Sequence, residues 1–174
     1  MNRRQFIGAG AAGSLSLASM SGPASSAPPE KPNLLFIWTD EQRADTMAVY
    51  GNKKIRVPNL NKLASESYVF QRAYITQPVS TPSRCSVMTG LWPHQSGCVA
   101  NNIPLRPDTP CLNELVADPE YRTAYMGKWH LGDEIFAQHG FEEWVSMEDG
   151  YWKYYREHQD QKLRSSYHHF LIEQ

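Results

Sequence analysis

The 174-residue chain is long enough for one domain of ordinary size, and its 41% hydrophobic and 20% charged residues exclude a disordered chain, a collagen-like repeat or a multi-span membrane protein. Lys+Arg 17 against Asp+Glu 18 gives a net charge of -1, and with Arg3 and Arg4 set aside 15 basic residues face 18 acidic ones. No basic field is left to hold nucleic acid by counterion release, so nucleic acid is excluded as the expected partner.

The chain opens Met1-Asn2-Arg3-Arg4-Gln5-Phe6-Ile7, followed by a mildly apolar Gly/Ala/Ser-rich stretch to Met20. That stretch is too short and too weakly apolar to span a bilayer, so the chain is not expected to be membrane-embedded. Arg3-Arg4 with Phe6 resembles a twin-arginine export signal, an address read by a translocase. Residues 1–27 are therefore expected to be a signal peptide, with small residues at Ala24 and Ala27 near the cut, and 28–31 a linker. Export by the twin-arginine translocase would deliver a folded protein to the periplasm or beyond.

Asn33 to Trp38 is a continuous apolar run, as expected of a strand buried on both faces of a parallel sheet. It ends at Asp40-Glu41, and ligands in open α/β sheets bind just beyond the carboxyl ends of strands. Pro58 suits the start of a helix carrying Leu60, Leu63 and Ala64 on one face. Tyr68-Val69-Phe70 and Ala73-Tyr74-Ile75 suggest a second extended piece. Pro82 and Gly90 bracket a short helix that puts Ser80 at or just before its N-terminus, where free amides and the helix dipole favour an anion. Thr109-Pro110 can cap and begin a helix through Leu112, Leu115 and Val116.

Thr123 to Met126 reads as a strand that Gly127-Lys128-Trp129-His130-Leu131-Gly132 leaves at its carboxyl end. In an extended chain Lys128 and His130 would face one side and Trp129 the other. The alternation of helices and strands argues for an α/β fold. From Asp149 onward Tyr151, Trp152, Tyr154 and Tyr155 mix with charges, and a half-exposed helix or insertion is expected. The adjacent pair His168-His169 diverges on any regular element and is not read as a metal site. Cys85, Cys98 and Cys111 lack C-x-x-C or zinc spacing, so small buried thiols are expected, with neither a disulfide framework nor a zinc site.

Ser80-Thr81-Pro82-Ser83-Arg84 followed by Met88-Thr89-Gly90 resembles the type I sulfatase signature. Pro58-Asn59-Leu60, Pro93-His94 and Gly127 to Gly132 are similar to its companion motifs, in order, over roughly Pro32 to Trp144. The resemblance implies an alkaline-phosphatase-like α/β sandwich with a mostly parallel central sheet, residues 32–174 being the N-terminal part of a catalytic domain truncated thereafter. It implies hydrolysis of a sulfate ester, on a small molecule or a sulfated carbohydrate, to an alcohol and inorganic sulfate. In serine-type members a radical-SAM maturase in the cytoplasm converts the first motif residue, here Ser80, to formylglycine. Its hydrated aldehyde is a nucleophile held on Ca2+, or Mg2+ in its place. Asp40, Glu41 and Ser80 would ligate the cation, Arg84 would hold the modified residue, Lys128 would contact sulfate, and His130 would deprotonate the second hydroxyl.

Each residue also has a plain structural reading. Asp40 can cap a turn, Arg84 be a surface charge, Lys128 and His130 solvated loop residues, and Ser80 an unmodified helix cap. Asn101 and Asn102 either meet a sugar hydroxyl or sit in a surface turn. Glu41 stands where the family commonly has Asp, and nothing after His130 matches the family's later metal and leaving-group residues. The 174-residue chain alone is therefore expected to be inactive. The alternatives are a phosphoester or phosphonate monoester hydrolase of the same superfamily, a non-catalytic remnant and, least favoured, a periplasmic solute-binding module.

Overall fold

The computed structural model describes residues 31–148 and 162–174. The expected signal segment, linker residues 28–30 and the aromatic run Tyr151 to Tyr155 lie outside the described residues. The chain divides into two compact units, one through Asn61 and the other from Lys62.

In the first unit two 3-10 turns, Ala44–Thr46 and Ala48–Tyr50, follow one another. Arg43 braces the first by donating from Nε and Nη2 to Asp45, at 3.0 and 2.6 Å. Helix α1 (Pro58–Ser65) begins at the expected proline, with Leu60 and Ala64 half-buried and Leu63 exposed. The expected strand at Asn33–Trp38 is not formed: the segment joins no ladder, and Leu34, Leu35, Phe36 and Ile37 are exposed. A parallel strand takes its hydrogen bonds and both its apolar covers from neighbours. An apolar run can specify what would be buried but cannot supply that ladder.

The second unit is built around α2 (Ser80–Thr89) and a parallel strand pair. Pro82 sits in the first turn of α2, where a missing N–H costs nothing, and Gly90 ends the helix with φ 72°. Thr81, Arg84, Cys85, Met88 and Thr89, at helical spacing, form its buried face. The short helix α3 (Pro93–Ser96) packs on α2. Helix α4 (Leu112–Val116) starts two residues later than expected, because Cys111 rather than Thr109 is the cap residue. Glu114 Oε2 accepts from the Cys111 amide at 2.8 Å, which a Thr109 start would forgo.

Strand β1 (Ala124–Gly127) forms where expected and pairs in parallel with β2 (Glu143–Ser146), Ala124 opposite Glu143. Parallel partners need a long crossover, and the crossover after Gly127 carries Lys128 and His130. Trp129, fully buried, anchors it in a cluster with Tyr125, Phe141 and Trp144, its ring centroid 5.0 Å from Tyr125 and 5.4 Å from Trp144. Tyr68 to Phe70 and Ala73 to Ile75 form no strand, and Tyr68 and Tyr74 are exposed. Helix α5 (Ser166–Ile172) is capped by Ser165 Oγ, which accepts from the His168 amide at 3.1 Å, and packs on β2. No helix among the described residues is long and apolar enough to cross a membrane.

Candidate active site

Ser80 is the first residue of α2, half-buried, and one turn before Arg84 on the same face. Its Oγ accepts from Arg84 Nε at 3.2 Å and lies 2.9 Å from His130 Nδ1. Arg84 is buried and its Nη1 donates to the Lys128 carbonyl at 2.7 Å, so the guanidinium ties α2 to the crossover. The same carbonyl accepts from Tyr125 Oη at 2.6 Å. Burial pushes the Tyr125 phenol up to about 12, against the opposing pull of Arg84, so it stays a donor.

His130 is reached by a turn, not by an extended chain. Its φ of 57° is left-handed, an uncommon state for a non-glycine residue. Glu134, wholly buried four residues on, holds that turn: its Oε2 accepts from the Trp129 amide at 3.0 Å and its Oε1 from the His130 amide. Burial raises the Glu134 carboxyl to about 7, while those two amides pull it down. The His130 carbonyl accepts from Thr81 Oγ1 at 2.9 Å, and His130 Nε2 lies 3.1 Å from Asn102 Oδ1. Asn101 Oδ1 accepts from the Thr81 amide at 3.0 Å and so caps the first turn of α2. The expected extended alternation of Lys128, Trp129 and His130 is therefore not what forms: Trp129 packs among Tyr125, Phe141 and Trp144. The Lys128 ammonium turns to Glu148, at 3.6 Å.

Ser80, Arg84, Lys128 and His130 thus belong to one unit; the side chains of Ser80, Arg84 and His130 meet at the α2 N-terminus, whereas Lys128 joins them through its carbonyl and its ammonium pairs with Glu148. Asp40 and Glu41 belong to the first unit, are exposed, and Glu41 has φ 55°. Motif spacing did not reveal Glu134, nor that Asn102, noted only as a sugar contact or surface turn, meets His130, because these bonds depend on a left-handed turn that no periodicity signals.

The three cysteines are buried and free, as expected. A hydrogen bond from Cys98 is the main cause that lowers the Cys85 thiol to about 6, and the Cys98 thiol is raised in turn. Cys111, Glu114 and His139 bring a thiol, a carboxylate and an imidazole within 4.8 Å of one another. Those donors already serve the fold, with Glu114 on the Cys111 amide and His139 Nδ1 donating to the Thr109 carbonyl at 3.1 Å.

Residues 32–173 match the family model described as Sulfatase. The chain belongs to the sulfatase family. Among curated sulfatases it is 34% identical over 130 residues to an N-acetylglucosamine-6-O-sulfatase of Bacteroides thetaiotaomicron, covering 75% of this chain and 23% of that protein. It is 32% identical to the human N-acetylgalactosamine-6-sulfatase over 139 residues, 71% of this chain and 27% of that one. An ulvan-active sulfatase of Formosa agariphila is 34% identical, over 69% of this chain and 25% of its own. The chain therefore spans about a quarter of the length of these relatives.

One solved structure, of a protein in complex with its substrate D-glucosamine-2-N,6-O-disulfate, superposes with a TM-score of 0.58 at 32% identity, covering 66% of this chain and 23% of that one. The fold is accordingly the α/β, alkaline-phosphatase-like one of sulfatases, of which the parallel pair β1-β2 is a part.

Proposed function

We propose that this sulfatase-family chain carries the nucleophile end of a sulfuric ester hydrolase, with a formylglycine made from Ser80 as the reacting residue. The observation that supports this most is Ser80 Oγ set between a fixed guanidinium nitrogen and an imidazole nitrogen. A sulfate ester is anionic, and attack on it builds further negative charge, so a catalyst needs positive groups that do not reorient. Arg84 is such a group, buried and anchored on the Lys128 carbonyl. Lys128 brings a second cation to the same end of β1, and His130 Nδ1 takes a proton from the oxygen at position 80.

Asp40 and Glu41 are all-oxygen donors of the kind a hard cation prefers, which fits Ca2+ and, with fewer protein ligands, Mg2+. Such an ion supplies polarisation of the sulfate and a hydroxyl of lowered pKa. The oxygen at position 80 already stands among groups suited to an ionising hydroxyl, so a formylglycine there fits as well. The sugar-named relatives favour a sulfated carbohydrate as substrate. A radical-SAM maturase would act on Ser80 in the cytoplasm before export by the twin-arginine translocase, read from Arg3-Arg4, to the periplasm or the medium.

Mass spectrometry of the Ser80 peptide after co-expression with such a maturase is expected to show loss of H2. Because the 174-residue chain alone is expected to be inactive, sulfate release from sulfated monosaccharides is then assayed with Ca2+ on a converted chain completed by the part its relatives carry beyond it, with Ser80→Ala as the inactive control. Preferential cleavage of phosphate monoesters by the unmodified serine form would favour the phosphoester alternative. Formylglycine present with no turnover of either ester class would overturn the proposal in favour of a non-catalytic remnant.

A further inference from the structure

We propose that Asn102 is a positioning residue that fixes His130 as the Nε2–H tautomer, so that Nδ1 is the base facing the oxygen at position 80. The inference rests on the reading above only in giving that base a task. It follows from a chain of four side chains whose two ends leave no choice of direction. At one end Arg84 Nε can only donate, and it reaches Ser80 Oγ at 3.2 Å. At the other end the carbonyl oxygen of Asn102 can only accept, and it lies 3.1 Å from His130 Nε2.

Between them stand one hydroxyl and one neutral imidazole, each with a single proton, and 2.9 Å separates Ser80 Oγ from His130 Nδ1. The order Arg84 Nε–H to Ser80 Oγ–H to His130 Nδ1, with Nε2–H to Asn102 Oδ1, satisfies every member. The other tautomer sets the Nε2 lone pair against the Oδ1 lone pairs. This is the logic by which a third group orients the base of a nucleophile–base pair. Asn102 is held for it: its amide donates to Thr81 Oγ1 at 3.3 Å, and the Leu105 amide donates to the Leu131 carbonyl at 2.8 Å, tying this loop to the crossover.

Asn102 has φ 62°, so Asn102→Gly removes the acceptor while keeping the backbone at ease, and Asn102→Asp retains an acceptor oxygen. The full chain is labelled with 15N-histidine, and the His130 ring resonances are assigned by their loss in His130→Gln. Spectra are taken at alkaline pH, where the ring is neutral, on the unmodified serine form. A protonated-type Nε2 and an unprotonated-type Nδ1 are expected in the native chain. Both shifts should move toward tautomer-averaged values in Asn102→Gly and return in Asn102→Asp, with the urea midpoint little changed in either. A native Nδ1–H tautomer, or an Asn102→Gly spectrum identical to the native one, would overturn the inference. No turnover enters this measurement, so its failure is separable from failure of the sulfatase reading.

Discussion

Glu134 is the residue on which the geometry of His130 turns. A carboxylate wholly out of water is costly, and here the cost is offset in part by two amide donors, Trp129 and His130, on its two oxygens. Its pKa nevertheless rises from the model-peptide value of 4.5 to about 7, with burial the leading cause. An acid whose folded pKa is raised binds its proton more tightly in the native state than in the unfolded one. Its contribution is therefore fully present below the unfolded pKa and is lost as pH climbs toward about 7, a loss of the order of 3 kcal/mol. Urea unfolding followed across that window should show stability falling with rising pH. In Glu134→Gln that dependence should flatten. One of the two amides then loses its acceptor, at roughly 1–3 kcal/mol, so the variant should also be less stable at the acid end. Equal slopes in the two proteins would mean that Glu134 does not carry the titration.

Among the elements, those whose signals are local were legible in the chain. Pro58 opens α1, Gly90 closes α2, and β1 forms within a residue of Thr123 to Met126. Gly90 offers a direct check. Nothing lies within 4 Å of a Cβ added there, so Gly90→Ala tests the left-handed backbone alone. It should cost roughly 1–2 kcal/mol, read as a lower urea midpoint, and Gly90→Asn should cost less. Of the candidate site residues, Ser80, Arg84 and His130 meet within hydrogen-bond reach, whereas the Lys128 ammonium turns to Glu148 and Asp40 and Glu41 belong to the first unit. Asn102 was noticed only as a sugar contact or a surface turn, and its approach to His130 across 28 positions was not legible; nor was Glu134, which acts through the φ of His130. The start of α4 was misplaced because Thr109-Pro110 is a good cap signal, yet the reach of Glu114 back to the Cys111 amide outweighs it.

At the scale of the whole molecule, the order of the described residues follows burial rather than apolar content. Cys85, Cys98, Cys111, Trp129 and Leu131, all buried, belong to the second unit, whereas Leu34 to Ile37 form as apolar a run as any and are exposed. A two-stranded sheet is marginal in water by itself. What secures β1 and β2 is the packing on them of Tyr125, Trp129 and Trp144, together with Trp144 Nε1 donating to the Glu134 carbonyl at 2.9 Å. Local opening free energies run from near zero in segments without such partners up to the global value in packed ones. Hydrogen exchange on the full chain should accordingly find the interior amides of α2 and the ladder amides of β1 and β2 the slowest. Amides from Asn33 to Ile37, exposed and outside any ladder, should exchange close to unprotected rates. Trp144→Ala should accelerate exchange across both strands and leave Asn33 to Ile37, which join no ladder, unchanged. Slow exchange at Leu35 to Ile37 in the native chain would mean that the run has found a ladder, and the strand expected from its sequence would be restored.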